Sequence, residues 1–500
     1  MALSLTTAQT DRAAGALLGI ASGDALGAAY EFGPPLEVSA EVAMVGGGSF
    51  GWAPGEWTDD TSMAMAIAEV TATGRDLRTA AAQDVIAARW VAWAEGAKDV
   101  GIQTRSVLAA AKRAAVHRGD GPPNAADVRA TATEQHQRSG QSGGNGSLMR
   151  TAPVALAYLG DPAGLVEAAT ALSALTHHDP EAGEACVLWC LAIRHAVLHA
   201  NFDGLRAALT HLPEGRAEVW AHRLNEAEAS RPADFDHNGW VVQALQGAWS
   251  AITTTQPAGD GALPGFPASH LQLGLQSAVR GGRDTDAVAA IAGALLGARW
   301  GASAVPAGWR RILHGWPGLR ARDLVRLGVL SARGGRPDGQ GWPSGDRMDY
   351  SSFGSVDVLA RHPHADGVWL SGIGALYALP GGVDAVVSLC RLGVEDRPGG
   401  VVAEQDHVEV WLVDDNDVAK NPNLDFVLRD AATVVGSLRA EGRTVLLHCV
   451  QAQSRTPTVA ALYGADITGR PVDECLKDVV AVLPGANPNR AMRAALQRLA

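Results

Sequence analysis

From Asp11 to about residue 330, apolar positions recur at helical spacing almost without relief. The first run, Asp11-Arg12-Ala13-Ala14-Gly15-Ala16-Leu17-Leu18-Gly19-Ile20, continues into Gly23-Asp24-Ala25-Leu26-Gly27. Its glycines and alanines suit close packing of one helix against others. Amphipathic helices are predicted near 80–95, 103–117 and 125–138, and another over about 181–200. A second small-residue helix opens at Asp284-Thr285-Asp286-Ala287 and runs to Gly297. Residues 331–357 are rich in glycine and proline and read as a linker. The period then changes. Residues 367–371, 385–389, 408–412 and 444–448 read as short strands, with a helix over 423–441 before the last of them.

Length agrees with this break, because 500 residues and 51.8 kDa exceed what one hydrophobic core usually covers. Two domains are expected, at 11–330 and 358–500 with 331–357 between them. The fold class is multi-domain: an all-α domain followed by an α/β domain. A net charge of −12 and a pI near 5.7 argue against a nonspecific binder of nucleic acid or anionic membrane. Five cysteines, an odd and small number, do not make a disulfide framework. Cys186 and Cys190 lie one helical turn apart in an apolar stretch and read as buried thiols, and Cys390 and Cys475 as core residues. Residues 1–10 lack a basic region followed by an apolar run, and no stretch approaches ~20 uninterrupted apolar residues. A soluble protein of the reducing cytoplasm is expected, with no membrane partner.

Candidate chemistry begins at Gly55-Glu56-Trp57-Thr58-Asp59-Asp60-Thr61. Thr58 reads as an N-cap, with Asp59 and Asp60 in the first turn, where negative charge suits the helix dipole. Adjacent carboxylates also suit a hard cation. Asp284 and Asp286 stand at another helix start in the same way. If the two starts converge, four carboxylates would repel one another unless two Mg²⁺ or Mn²⁺ ions neutralise them. Between them, 139–147 is a glycine-rich loop feeding Leu148-Met149-Arg150, which is expected to open a helix. Its backbone N–H groups can cradle phosphate, or the loop can be a simple connection. His177, in Thr176-His177-His178-Asp179, is a loop or capping histidine on local grounds alone.

Taken in order, Gly23-Asp24-Ala25-Leu26-Gly27 with Glu31, then Thr58-Asp59-Asp60-Thr61, Gly144-Asn145-Gly146, Thr176-His177 and Asp284-Thr285-Asp286 resemble the ADP-ribosylglycohydrolase family. The resemblance covers roughly 11–330. It implies a compact helical fold, two Mg²⁺ (sometimes Mn²⁺) ions, and hydrolysis of the bond joining ADP-ribose to a protein side chain or a small molecule. Carried over, it makes Thr58, Asp59, Asp60, Asp284 and Asp286 metal ligands, Asp59 and Asp60 among the catalytic residues, and Glu31 a mobile acid that gates or assists at the cations. Ser142, Gly143, Gly144 and Asn145 would bind the diphosphate and ribose, His177 would line the adenosine side, and Asp99 would face the scissile ribose. The family usually has Thr or Ser where this chain has Ala287, which leaves one coordination position to water.

In the second part, the strand ending at His448 is followed by Cys449-Val450-Gln451-Ala452-Gln453-Ser454-Arg455 and a helix. A cysteine and an arginine six positions on, between strand and helix, make a thiolate loop for phosphate: amides and helix start depress the thiol pKa, and the guanidinium grips phosphate. With His448 in front, the segment resembles the dual-specificity and tyrosine phosphatases over about 355–500. That resemblance makes Cys449 the nucleophile, Arg455 the transition-state clamp, Ser454 a substrate-binding residue and Asp415 the general acid, with Asp414 as the alternative. Gln451-Ala452 stands where the family usually has Ala-Gly. The expected activity is removal of ADP-ribose joined in one chain to a cysteine phosphatase acting on a phosphorylated substrate. The alternative, motivated by Ala287 and Gln451-Ala452, is a binding module in which one or both sites have lost turnover.

Overall fold

Three helices frame the first part: α1 (Thr7–Gly27), α2 (Asp59–Thr71) and α3 (Thr285–Trp300). The structure, a computed structural model, describes residues 3–119, 121–256, 265–354 and 356–500. α1 starts at a capping box between Thr6 and Gln9 and is buried from Thr10 to its end. It runs antiparallel to α3 at backbone contact. A β-carbon at Gly15 would stand 2.3 Å from the carbonyl oxygen of Gly297, one at Gly19 1.9 Å from that of Gly293, and one at Gly23 2.0 Å from that of Ala289. Glycine at every fourth position of α1 thus forms one continuous seam, which carries the C-terminal end of α1 onto the N-terminal end of α3. Thr285 Oγ1 closes it by donating to the Gly27 carbonyl at 2.9 Å. Gly19→Val would force these backbones apart. A loss of ~3 kcal/mol or more in chemical denaturation is expected, at or above the upper end for overpacking; an unchanged midpoint would refute the seam.

The other helices expected from periodicity form as Ala80–Ala94, Ile102–Arg118, Ala125–Ser139 and Pro180–His199. The glycine-rich loop departs from expectation. After one tight turn at Asn145–Ser147 the chain keeps turning, and the next helix begins only at Ala152. The cause is Arg150, which is drawn inward over the Trp90 ring at 4.0 Å and donates to Thr176 Oγ1 at 2.7 Å.

The second part holds a five-stranded sheet, β1 (Leu359–His362), β2 (Ala365–Ser371), β3 (Ala385–Ser388), β4 (His407–Glu409) and β5 (Val445–His448), in the order β1-β2-β5-β3-β4. Only the β1–β2 pair is antiparallel. Helices α4 (Leu424–Ala440) and α5 (Arg455–Thr468) flank β5 in sequence. The edge strand β1 has no apolar alternation and was not legible as a strand. β4 ends at Glu409, short of the expected 412, where the chain turns to offer the Leu412 carbonyl to Arg455.

Residues 331–357 are not a free tether. The helix Ala321–Ala332 takes in the first two, Trp342 packs edge-on to Trp411 at 5.3 Å between centroids, and Asp338 accepts from Arg391 at 2.7 Å. Glycine and proline there set turns, while buried Trp342 and Met348 anchor them. The two parts also join directly. Asn423 Nδ2 donates to Ser303 Oγ at 2.8 Å, the Ala307 N–H to Asp430 at 2.9 Å, and Arg311 pairs with Asp406 and Glu441. Among the described residues no helix is long and apolar enough to cross a membrane, and all five cysteines are free and buried.

Candidate active sites

Thr58 occupies the N-cap position of α2, with extended backbone, yet its hydroxyl caps nothing. The cap comes from α1 instead. Asp24 accepts the Thr58 N–H at 2.8 Å and the Thr61 N–H at 2.9 Å. The sequence reading of Thr58 as the capping side chain is therefore corrected: Asp24 does that work, and Thr58 Oγ1 is free to reach Asp60 (3.0 Å) and Asp286 (3.3 Å). Asp24, Asp60 and Asp286 bring oxygens within 4.8 Å of one another, and so do Glu31, Asp284 and Asp286. Asp286 belongs to both groups, so the two helix starts converge as their acid pairs suggested.

The surrounding contacts hold these oxygens in place. Asp59 accepts from the Gly101 N–H at 3.1 Å, which draws in the loop carrying half-buried Asp99. Asn145 Nδ2 donates to Asp284 at 2.9 Å and to the Asn238 carbonyl, while Asn238 Oδ1 accepts the Asp284 N–H at 3.2 Å. The backbone around Glu31 is pinned, because Phe32 N–H donates to the Arg283 carbonyl and the Arg283 N–H to that of Gly33. Any gating by Glu31 is thus a side-chain movement. Ser142 gives its hydroxyl to His136 Nδ1 at 2.7 Å, and the Gly143 carbonyl takes the Val241 N–H. Gly144 pairs with Trp240. His177 lies beneath the loop, where a β-carbon at Gly146 would stand 3.0 Å from its Cε1. Burial, then the charge of Arg150, pushes the His177 pKa well down and keeps the ring neutral. Because Arg150 donates to Thr176 Oγ1, that hydroxyl is left to donate to His177 Nδ1 at 2.8 Å.

Two residues of this site escaped the sequence reading, Asp24 and Asn238. Asp24 had a signal, a lone acid between Gly23 and Gly27 in an otherwise apolar helix. Asn238 had none.

Burial, reinforced by neighbouring carboxylates, drives these acids upward: Glu31 to about 9, Asp59 to about 7, and Asp60 and Asp286 well above the usual range. Burial alone lifts Asp24 to about 6. No lysine or arginine pairs with them among the described residues, and Glu31 Oε2 and Asp60 Oδ1 are buried without a hydrogen-bond partner. An oxygen-only, acceptor-only pocket of this kind fits hard divalent cations. Because the folded pKa values are raised, the cation-free folded protein holds protons that the unfolded chain releases, so stability rises as pH falls through about 7 and is lost as pH climbs. In EDTA the melting temperature is expected to be lower at pH 8 than at pH 6. Mg²⁺ should raise it more at pH 8, where fewer protons compete. A Mg²⁺ shift that does not grow with pH would refute this.

In the sheet part, β5 delivers Cys449 to a loop that ends where α5 begins, at Arg455. His448 is fully buried, bonded to Ser388 Oγ at 2.6 Å, and burial lowers it to about 3. Arg455 is fixed by donating to the Leu389 and Leu412 carbonyls at 2.7 and 3.2 Å, and its Nε is buried without a hydrogen-bond partner. Ser454 Oγ faces away, accepting from the Asn489 N–H. Ala452 has φ +55°, the left-handed conformation that the missing glycine would take without strain. Of the two candidate acids, Asp414 stands 3.5 Å from Arg455 Nε and accepts from Asn489. Asp415 points to Lys420, which lowers its pKa. The geometry therefore favours Asp414 over the expected Asp415; a pair of adjacent aspartates gives no clue from sequence to which one turns inward.

Comparison with known proteins agrees with the first of these sites. The sequence profile of the ADP-ribosylglycohydrolase family matches residues 5–336, and the chain belongs to that family. It is 30% identical over 306 residues to the ADP-ribosyl-[dinitrogen reductase] glycohydrolase of Rhodospirillum rubrum, covering 60% of this chain and 89% of that protein. It is 31% identical over 318 residues to the ADP-ribosylarginine hydrolase Tri1 of Pseudomonas putida (strain GB-1), covering 62% and 76%. A solved ADP-ribosylglycohydrolase-related protein complex superimposes with a TM-score of 0.48 at 28% identity, over 66% of this chain and all of that one. Human DUSP28 aligns with a TM-score of 0.24 at 21% identity, over 28% of this chain and 91% of its own.

Proposed function

We propose that the helical part removes ADP-ribose from a modified protein, with an ADP-ribosylated arginine as the leading substrate class, at a site for two Mg²⁺ or Mn²⁺ ions. The observation that carries this reading is the pair of buried carboxylate groups sharing Asp286, with oxygens that nothing in the protein satisfies. Thr58, Asp59, Asp60, Asp284 and Asp286 would hold the ions, with Asp24 beside them. When bound, the ions neutralise the carboxylates and polarise the oxygens of the reacting ribose. The chain's own residues do the rest. Asn145 orients Asp284; the loop 142–145 receives the diphosphate; Asp99 faces the scissile ribose; Glu31 exchanges the reaction's proton at Oε2. Incubation with ADP-ribosylarginine protein and Mg²⁺ should release free ADP-ribose, and EDTA should stop it. Release that persists in EDTA would overturn the reading. The binding-module alternative predicts metal-dependent retention of ADP-ribose with no release.

A second reading rests on a separate observation, the unpartnered Nε of Arg455 above the Cys449 loop. We propose that this part is a cysteine phosphatase. Cys449 Sγ forms the S–P bond as the P–O bond to the leaving group breaks; Asp414 gives that oxygen its proton; water then attacks phosphorus and releases phosphate and the thiolate.

A further inference from the structure

The two parts enclose a cavity of about 290 Å³ that neither proposed reaction uses. One wall is the segment 310–326 of the helical part, and the other is formed by 390–413 of the sheet part. Seven lining side chains are arginines, none is a lysine, and only three are carboxylates. This is a locally cationic chamber in a chain whose net charge is −12.

Its internal pairing leaves the excess in place. Glu404 is shared by two guanidiniums, Arg320 at 2.5 Å and Arg322. Asp323 is occupied in capping its own helix, where it accepts the Arg320 N–H at 2.9 Å. Glu409 is matched by Arg397 at 2.8 Å. Arg326 has no ion-pair or hydrogen-bond partner among the described residues. Clustered like charges are costly unless an anion joins them, and guanidinium forks match phosphate oxygens in bidentate fashion. The floor is aromatic: Arg391 stacks over Trp342 at 4.4 Å, and Trp342 packs against Trp411. A surface of that kind suits the organic part of a small ligand. At about 290 Å³ the space takes a molecule no larger than roughly a mononucleotide.

We infer that this cavity is a binding site for a phosphate monoester of mononucleotide size or smaller, held between the two parts of the chain. Its position gives it a route to the phosphatase loop. The Leu412 carbonyl, on the cavity wall, accepts from Arg455, and Arg310 donates to the Glu409 carbonyl on the same strand. A ligand drawn onto Arg322 and Arg397 from opposite sides would clamp the two parts together.

The test uses the full chain with Arg455→Ala and EDTA present, so that neither the thiolate loop nor a loaded metal site takes up the probe. Titration with inorganic phosphate should reveal one saturable site. Arg326→Glu, which breaks no contact, should weaken it at least about tenfold, in line with the loss of one charge-assisted hydrogen bond. Arg322→Gln provides a second variant with the same expected direction. AMP binding more tightly than phosphate would identify an organic phosphate, and equal binding a free one; both support the site. No saturable uptake, or uptake indifferent to both arginine changes, would overturn it.

Discussion

Asp286→Ala is expected to abolish ADP-ribose release, lowering kcat/KM by roughly 10³-fold or more, since a ligand shared by two cations supports several kcal/mol of transition-state stabilisation. Asp286 is the one carboxylate common to both acid groups, and it also accepts from Thr58 Oγ1. Its removal therefore disturbs both ion positions at once, whereas Asp59→Ala removes a carboxylate outside either group. Both variants should lose Mg²⁺-dependent thermal stabilisation, Asp286→Ala the more completely. The folded state itself should survive in EDTA, because deleting a strained carboxylate relieves repulsion. A metal-free Asp286→Ala protein that melts above the metal-free parent, and yet cannot hydrolyse, would be the clearest signature. Retained turnover would eliminate the dimetal reading.

Cys449→Ser is expected to eliminate p-nitrophenyl phosphate turnover in the second part while leaving ADP-ribose release untouched. No general base neighbours Cys449 to activate a serine in its place, since buried His448 is engaged with Ser388. Of the acids, Asp414→Asn should lower kcat by roughly 10²-fold or more, within the range of general acid catalysis, and Asp415→Asn much less. The reverse order would restore Asp415 to the role its sequence position suggested. Surviving activity in Cys449→Ser would remove the cysteine mechanism altogether.

Much of this architecture was legible because it depends on local pattern. The small residues of α1 and α3 announced close helix packing, and the acid pairs at two helix starts announced convergence. What remained hidden depends on long-range contact. Nothing near Thr58 says that Asp24, 34 residues earlier, will cap its helix and displace its hydroxyl. Similarly, the composition of 331–357 marks turns but not the Trp342–Trp411 contact that fastens them. Asp414 and Asp415 are chemically identical in sequence, and only the position of Lys420 and Asn489 separates them.

The glycine seam also has a bearing on how the protein is made. Thr285 and Gly27, joined by a hydrogen bond, are 258 positions apart, so α1 leaves the ribosome long before the helix it must embrace exists. Until α3 is synthesised, a stretch of glycine, alanine and leucine stands without its partner, and the intervening helices must collapse around a gap. A chain interrupted before residue 285 would carry Asp24 and Asp60 but no Asp286. Cation capture is thereby deferred until the helical fold is nearly whole, and a truncated product is inert as well as sticky.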